Sequence, residues 1–221
     1  MIGDFRPDGG APRYFGLYPA VVTDLVDQDN LGRIEVKFPW LGEAGADVRA
    51  WATLLTPYAD DDQGFEMLPE VDSQVVVGFE AGELRRPYIV GACWNGQASL
   101  PESPQQPNNK RLIKTRAGSL LEFDDTDGAA KVTISLQSGS KLVLDDSAQE
   151  VKLAHSNGCS LKMDSSGNVT VTALSGVTLT APSGLTVTAP STTFSGTVTC
   201  TSLTATSITS PVYSPGAGNV W

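Results

Sequence analysis

The feature that most constrains the fold of this chain is a doubled octad near its C-terminal end. Residues 176–183 read GVTLTAPS and residues 184–191 read GLTVTAPS, so the two copies differ only by an exchange of Val and Leu. Aliphatic residues alternate with Thr, which puts aliphatic groups on one face of an extended strand and hydroxyls on the other. Gly, Pro and Ser at the octad boundaries are typical of corners. A helix is excluded because β-branched residues and Gly dominate.

The octads end a longer series of repeats, in which each unit has a Gly, two apolar residues at alternate positions and a polar turn. The clearest units are GSLLEFDD (118–125), GSKLVLDD (139–146) and GCSLKMDS (158–165). Alternating segments such as KVTISL (131–136) and EVKLA (150–154) lie between them. The pattern predicts a unit of two short strands and two turns, which contracts to the octad after Gly167.

A strand this short cannot bury its apolar face alone, so the repeats need neighbours stacked above, below and opposite. A single-chain solenoid of so few octads would have a thin core and two open ends. Three chains wound together would instead each supply one face of a triangular prism, so we expect an intertwined homotrimer in preference to a monomeric β-helix. The predicted axis-facing side chains are Leu142, Leu144, Leu161, Met163, Val169, Val171, Val177, Leu179, Leu185 and Val187.

Charge also divides the chain. Its formal net charge is −10, and every Asp, Glu, Lys, Arg and His lies at or before Asp164. The acidic balance argues against a surface that binds nucleic acid phosphates. An uncharged rod would avoid the cost of moving ions into a bilayer. The tight octads would equally leave no place for long charged side chains, and both interpretations stay open.

The first part of the chain predicts a small barrel. YPAVVTDLVD (18–27) leads through a polar turn into RIEVKFPW (33–40), which indicates a hairpin with one apolar face. Further strands are predicted at WATLL (51–55), QVVVGFE (74–80) and PYIVGACW (87–94). Five short strands separated by turns fit an OB-fold.

The Pro-rich segment that follows the barrel is typical of a linker. We therefore predict an all-β chain in which an OB-fold barrel precedes an intertwined trimeric β-helix, or β-prism. The predicted boundaries are an N-terminal extension (1–13), the OB-fold domain (14–97), a linker (98–111), β-helical repeats (112–210) and a C-terminal segment (211–221). No secretory signal or membrane-spanning run is visible, so we expect synthesis in the cytoplasm.

The paired carboxylates Asp124–Asp125 and Asp145–Asp146 are the strongest candidates for catalysis, because many hydrolases use two carboxylates. They recur at equivalent positions of a structural repeat, so turn caps explain them better. The run ADDDQ (59–63) lacks the spaced oxygen ligands of a calcium loop, which favours a solvated loop.

The remaining reactive residues carry no recognisable site. His155 has no second ligand patterned around it and is predicted to lie in a turn. Cys93, Cys159 and Cys200 show no metal or disulfide spacing, which predicts buried free thiols. Since no nucleophile elbow or Ser-His-Asp order is present either, we expect no enzymatic activity, no cofactor and no metal.

Three segments taken together resemble a known family: LGRIEVKFPW (31–40), GFEMLPEVDSQVVVGFE (64–80) and RRPYIVGACWNG (85–96). They resemble the central spike proteins of contractile injection systems, which include the tail-needle hub of contractile phages and the valine-glycine repeat (VgrG-like) spikes of type VI secretion. The resemblance covers residues 14–96 and continues in architecture to the C-terminus. It implies a non-enzymatic trimeric spike that is assembled in the cytoplasm into a phage tail or tail-like particle. Its OB domains would sit in the baseplate, and its prism would pierce a target envelope when the sheath contracts.

The chain departs from larger members of that family. Few residues precede the match, which implies a separate baseplate hub protein. The linker is too short for the muramidase that some phage relatives carry there. Other relatives bind iron through a terminal His-x-His pair, whereas the only His here is His155, so no metal is expected at the tip.

The resemblance also suggests two further contacts. Arg85 and Arg86 are predicted either to touch the hub or to form a plain surface turn. Val220 and Trp221 are predicted to plug the threefold axis or to receive a PAAR-like tip protein, the alternative being a frayed terminus. The runner-up function is an OB-fold oligonucleotide- or polysaccharide-binding module on a β-helical stalk. That function usually requires a basic groove with exposed aromatic residues, and the acidic balance disfavours it.

Overall fold

The computed structural model describes residues 12–42 and 47–212, and within these ranges the chain is all-β, as predicted. It contains strands and one short 3-10 turn, Glu80–Gly82. The first group of strands is β1 Tyr18–Asp24, β2 Arg33–Lys37, β3 Arg49–Leu54, β4 Ala59–Asp60, β5 Gln63–Gly64, β6 Gln74–Phe79 and β7 Pro87–Ala92. The second group is β8 Lys110–Lys114, β9 Leu120–Asp124, β10 Lys131–Ser135, β11 Lys141–Asp145, β12 Glu150–Ala154, β13 Ser160–Met163 and β14 Val169–Thr172. None of the described elements is a helix of the length and hydropathy that crossing a membrane requires.

The first group closes into a five-stranded barrel in the order β1-β2-β3-β7-β6. Neighbouring strands are antiparallel except β3 and β7, which run parallel. Alternate residues point inward because successive side chains of a strand lie on opposite faces. The buried core is Ala20, Val22, Ile34, Val36, Phe38, Ala52, Val75, Val77 and Ile89. The predicted OB-like barrel is therefore confirmed.

An aromatic cluster closes one end of the barrel. The rings of Tyr18 and Trp40 stack with their centroids 4.6 Å apart, and Phe38 and Phe79 meet edge to face at 5.5 Å. The indole Nε1 of Trp40 donates a 2.8 Å hydrogen bond to the carbonyl of Pro19. Tyr14 packs against the same rings, so the segment that enters β1 is fixed by the barrel.

The small hairpin of β4 and β5 was not predicted. It carries the acidic run, with Asp60 in β4, and all of its residues are exposed, as expected for a solvated loop. Strands of two residues are too short to show an alternating pattern, which is why the sequence gives no sign of them.

The second group forms a seven-stranded antiparallel sheet in sequential order, β14-β13-β12-β11-β10-β9-β8. Each strand pairs in full register with the next across a short turn, for example Leu142 opposite Leu153 and Leu144 opposite Val151. This confirms the repeat of two strands and two turns. Strand β8 begins at Lys110, inside the segment that the sequence assigned to the linker. Its composition, KRLIK, offers only two apolar residues, and its pairing with β9 defines it.

Residues 173–212 contain no strand, although the octads were predicted to be extended and paired. A backbone hydrogen bond from Gly184 to the carbonyl of Ala181 is one of the few contacts in this segment. The physical reason is that a strand exists only where a neighbour accepts and donates its hydrogen bonds, and one copy of the chain provides no such neighbour here. The β-helical part of the prediction accordingly stays a proposal about an assembly.

Candidate interaction surface

The register of the seven-stranded sheet places almost all of its large aliphatic residues on one face. Residues that pair across antiparallel strands share a face, and residues two apart along a strand share it too. We call this surface the apolar face; it consists of Ile113, Leu121, Phe123, Val132, Ile134, Leu142, Leu144, Val151, Leu153, Leu161, Met163, Val169 and Val171. Arg111, opposite Phe123, is the one charged side chain that the register adds to it.

The apolar face is not covered by any other described part of the chain. Leu153 is 55% exposed and Val171 is 60% exposed, and Phe123, Leu144 and Met163 are also among the exposed large hydrophobic residues. With a spacing of about 4.8 Å between strands, the face extends roughly 30 Å along the stack. A continuous apolar surface of this size usually marks an interaction site.

Six of the ten predicted trimer-core residues lie together on the apolar face: Leu142, Leu144, Leu161, Met163, Val169 and Val171. The other four, Val177, Leu179, Leu185 and Val187, lie in the strand-free segment and are between 59% and 74% exposed. The structure therefore brings the first six into one surface, and it does not bring the last four into contact with them.

The opposite face of the sheet, the charged face, carries most of the ionisable residues of the strands. Lys110 Nζ lies 3.6 Å from Glu122 Oε2, and Lys162 Nζ lies 2.5 Å from Glu150 Oε2. The charge of Glu122 raises the pKa of Lys110 above its usual value, and the hydrogen bond to Glu150 raises the pKa of Lys162. A face of paired charges is suited to solvent, whereas the apolar face is not.

The two lateral edges of the sheet differ in charge. Turns at one edge, the acidic edge, carry Asp124, Asp125, Asp127, Asp145, Asp146, Glu150 and Asp164. Turns at the other edge, the glycine edge, lie at 115–119, 136–140 and 155–159 and contain no Asp or Glu. The basic residues at or beside the glycine edge are Lys114, Arg116 and Lys141.

The first carboxylate of each pair that ends a repeat, Asp124 or Asp145, is a turn cap. Asp124 Oδ1 accepts hydrogen bonds from the backbone N–H of Thr126 at 3.1 Å and from its hydroxyl at 2.6 Å. Asp145 Oδ1 accepts from the Ser147 hydroxyl at 2.7 Å and from the N–H of Ala148 at 2.8 Å. These bonds lower the pKa of both carboxyl groups. Turn capping is therefore confirmed for the first carboxylate of each pair, whereas Asp125 accepts a hydrogen bond from Arg111 and the side chain of Asp146 caps no described turn.

The third repeat uses the same device. Asp164 Oδ1 accepts hydrogen bonds from the N–H groups of Ser166 at 3.0 Å and Asn168 at 3.1 Å. Asn168 also donates through its side chain, and these contacts lower the pKa of Asp164.

His155 lies in a turn as predicted, where its Nδ1 accepts a hydrogen bond from the N–H of Asn157 at 3.2 Å. In the described ranges, no three His, Cys, Asp or Glu side chains cluster in a way that could hold a metal ion.

The prediction of buried thiols is wrong. The cysteines are free, but Cys93 and Cys200 are exposed and Cys159 is only half-buried. Cys93 directly follows β7, where the chain leaves the barrel, and Cys200 lies in the strand-free segment. Apolar composition around a cysteine predicts burial only where a core forms around it.

The two arginines proposed to touch a hub lie on the exposed turn before β7. Arg86 Nη1 is 3.4 Å from Glu80 Oε1, whereas Arg85 makes no ion pair with any described residue. The proposed tip residues Val220 and Trp221 lie outside the described residues.

The long loop between β3 and β6 carries exposed apolar side chains that the sequence did not predict. They include Tyr58, Phe65 and Met67.

Comparison with known proteins identifies the barrel. Residues 18–94 match the family model of the type VI secretion system/phage-baseplate injector OB domain. The chain is 26% identical over 147 residues to the type VI secretion system spike protein VgrG5 of Pseudomonas aeruginosa, covering 60% of this chain and 19% of that protein. It is 24% identical over 116 residues to the spike protein VgrG3 of Vibrio cholerae serotype O1, covering 49% of this chain and 11% of that protein.

A further match carries a different name. The chain is 22% identical over 116 residues to the actin cross-linking toxin VgrG1 of Vibrio cholerae serotype O1, covering 49% of this chain and 11% of that protein. The barrel is thus an OB domain of the injector type, and it is followed by a repetitive antiparallel sheet. The resemblance to the VgrG-like spike proteins of contractile injection systems, predicted from three segments of the sequence, is confirmed. The chain spans less than a fifth of the length of these relatives.

Proposed function

We propose that this chain is a structural spike at the centre of the baseplate of a contractile injection system or phage tail, where it pierces the target envelope when the sheath contracts. The observation that carries the proposal is the apolar face, a large exposed hydrophobic surface on a rigid sheet that directly follows an injector OB domain. A soluble monomer would not keep such a surface in water.

Three copies of the chain cover that surface. Each copy contributes its sheet as one wall of a triangular prism, with the apolar face turned to the threefold axis and the charged face turned to solvent. Burial stabilises the assembly by about 25 cal/mol for each Å² of apolar surface removed from water. An interface of this kind resembles a domain core divided among subunits, which is typical of obligate oligomers.

The octads extend the prism towards its tip. Between residues 173 and 212, few backbone groups have hydrogen-bond partners within the chain, and neighbouring copies would supply them. Val177, Leu179, Leu185 and Val187 then face the axis, and Thr and Ser form a narrow uncharged exterior. Pairing between chains along the octads, together with pairing within each chain in the seven-stranded sheet, opposes local unfolding, so the result is a stiff rod.

The role is mechanical and not enzymatic. The energy comes from the sheath, and the spike contributes stiffness and a narrow profile. The capping bonds of Asp124, Asp145 and Asp164 support this proposal, since the carboxylates best placed for catalysis are used in turns. The match to a protein named as a toxin covers only 11% of that protein, which gives no reason to transfer its activity.

The proposed partners follow from the same architecture. A separate hub protein holds the OB domains, with Arg85 and Arg86 as its contacts, and a PAAR-like tip protein caps the prism at Val220 and Trp221. No nucleic acid is bound. The particle is assembled in the cytoplasm and delivers its tip to the envelope of the target cell. The predicted domain boundaries, with the barrel at 14–97 and the spike repeats at 112–210, belong to this proposal.

The mass of the full chain in native solution tests the proposal. We expect a trimer that resists dissociation by SDS, and a monomer at micromolar concentration would overturn the prism. Filter binding to single-stranded DNA at physiological salt tests the alternative oligonucleotide-binding function. That function needs exposed aromatic residues over a basic groove; Phe15, Tyr58, Phe65 and Trp94 are exposed, but the net charge of −10 disfavours a basic groove.

A further inference from the structure

We propose that the two lateral edges of the seven-stranded sheet recognise each other between copies of the chain, and that Lys141 of one copy pairs with Asp146 of the next. The partner is a second copy of this chain. The inference rests on the proposed trimer, and it adds what holds the walls of the prism together and what makes all copies point the same way.

The acidic residues of the sheet, with one exception, are confined to one edge, where Lys110, Arg111 and Lys131 offset part of their charge. In residues 109–172, every Asp and Glu except Glu122 lies at the acidic edge, whereas the glycine edge has none. The glycine edge instead carries or adjoins Lys114, Arg116 and Lys141, with His155 in its last turn. In a closed ring of three identical walls, each interface joins one edge of a copy to the other edge of its neighbour. The acidic edge therefore meets the glycine edge at all three corners.

Symmetry assigns the particular pair. A rotation about an axis parallel to the stacking direction moves every residue without changing its height along that axis. Strand β11 begins at Lys141 on the glycine edge and ends at Asp145 on the acidic edge, directly before Asp146. The two ends of β11 are thus at about the same height, and the rotation brings Lys141 of one copy beside Asp146 of the next.

Both side chains are available for this contact. Lys141 and Asp146 are exposed, and neither forms a side-chain hydrogen bond or ion pair with any described residue. Their neighbours are already used within the chain. Asp145 caps its own turn, and Arg116 Nη1 lies 3.1 Å from Glu70 Oε2 in the barrel domain.

The edges also discriminate against a wrong arrangement. The apolar face alone would accept a neighbour that is inverted along the axis, because its rows of Leu, Val and Ile are similar in both directions. An inverted copy with its apolar face still inward exchanges its left and right edges. It would place acidic edge against acidic edge, and like charges at close range oppose that pairing. The charge separation therefore favours the parallel ring.

Charge reversal tests the pair. In the single variants Lys141→Glu and Asp146→Lys, like charges face each other at all three corners. The readout is the rate at which isotopically labelled and unlabelled trimers exchange chains, followed by native mass spectrometry. We expect exchange to accelerate roughly tenfold in each single variant at low salt and less at high salt, because exposed pairs are weak and screened. The double variant restores opposite charges, and its exchange rate should return to within about threefold of the wild type.

Lys152→Glu is the matched control. It makes the same change of charge on an adjacent strand, but at a mid-strand position of the charged face, away from both edges. Its exchange rate should equal that of the wild type. The edge pairing is overturned if the wild type is trimeric and Lys141→Glu does not change the rate of chain exchange. It is also overturned if the double variant still exchanges chains as fast as the single variants. Either result leaves the spike proposal standing. A monomeric wild type overturns the spike proposal itself.

Discussion

Arg33 holds Asp27 with two nitrogens: Nε lies 2.8 Å from Oδ2 and Nη2 lies 2.8 Å from Oδ1. The side chain of Asp27 is only 4% exposed, and its oxygens also accept the backbone N–H groups of Asp29 and Leu31. The guanidinium of Arg33 stands 5.9 Å from the ring centroid of Trp51. This pair closes the loop between β1 and β2. The hydrogen bonds from Arg33 hold the pKa of Asp27 well below its usual range.

The ion pair predicts how the stability of the barrel depends on pH. Because the folded state lowers the pKa of Asp27 from its ordinary value of 3.8, the ionised carboxylate stabilises the fold at pH values above it. That contribution is lost as the pH falls below about 4 towards the folded-state pKa. We expect the variant Asp27→Asn to be less stable than the wild type at neutral pH. Its free energy of unfolding should also fall less steeply as the pH is lowered below about 4. Urea unfolding followed by tryptophan fluorescence at a series of pH values measures both.

The control for that experiment is Asp29→Asn. Asp29 also contacts Arg33, at 2.7 Å, but its side chain is 72% exposed and the bidentate contact to Asp27 stays in place. The free energy of unfolding of this variant should fall with decreasing pH as steeply as that of the wild type. If Asp27→Asn lost stability at acidic pH as steeply as the wild type, the role given to the Asp27–Arg33 pair would be contradicted.

The barrel core predicts a contrast between adjacent residues of β7. Ile89 is fully buried, whereas Val90, the next residue, points outward and is 48% exposed. The variant Ile89→Ala should lower the free energy of unfolding of the barrel by about 2–5 kcal/mol, because it removes buried methyl groups and leaves a cavity. Val90→Ala should change it by no more than about 0.5 kcal/mol. Equal losses in the two variants, measured by urea unfolding, would mean that the inside and the outside of β7 have been assigned wrongly.

The apolar face predicts a contrast between adjacent residues of β11. Leu142 lies on the apolar face, and Val143 lies on the charged face opposite Thr133 and Lys152. In a trimer, Leu142→Lys brings three ammonium groups to the axis without partners, and desolvation costs several kcal/mol for each. We expect this variant to be monomeric at micromolar concentration by native mass spectrometry, with its barrel still folded.

Val143→Lys makes the same kind of change in the same strand and should leave the trimer intact, because the new charge faces solvent. Dissociation of both variants would indicate general damage to the sheet. If Leu142→Lys stayed trimeric, the apolar face would not be the surface that joins the copies.

The sequence predicted those parts of the fold that one chain stabilises by itself. The barrel strands and the repeat strands alternate clearly, and each finds its hydrogen-bonding neighbour nearby in sequence, as Leu142 finds Leu153. The octads alternate just as clearly but form no strand in a single copy, where no described segment lies beside them to share backbone hydrogen bonds. A pattern of residues indicates which face is apolar, and it does not indicate which molecule covers that face.

Other features could not be read from the sequence, for local reasons. The hairpin of β4 and β5 is too short to show an alternating pattern. Strand β8 directly follows a Pro-rich segment and has only two apolar residues, so its sequence resembles the end of a linker. The pairing of Asp27 with Arg33 depends on the path of the intervening loop, which composition does not define. For the candidate interface, alternation placed six of the ten predicted residues on one apolar surface, and their position at a threefold axis stays a prediction. The separation of charge between the two edges became visible only once the strand register was known.

The uncharged C-terminal end gives the most direct test of envelope passage. Thr178, Thr180, Thr186 and Thr188 alternate with the proposed axis-facing residues of the doubled octad and are exposed. Replacing all four with Lys leaves the axis unchanged and adds charge to the exterior. A Lys at the centre of a bilayer costs roughly 2.5–3.5 kcal/mol, so delivery into target cells should fall by at least about tenfold. Delivery is scored by killing or reporter release, and trimer formation is scored in parallel by native mass.

Replacement of the same four residues with Asn separates charge from size, because Asn is polar, similar in volume to Thr and uncharged. Delivery in the Asn variant should stay near that of the wild type if the bilayer selects against charge. Equal loss in both variants would point to the tight corners of the octads, which then tolerate only small side chains. Wild-type delivery by a fully trimeric Lys variant would show that the absence of charge at this end is a consequence of the repeat and has no part in passage.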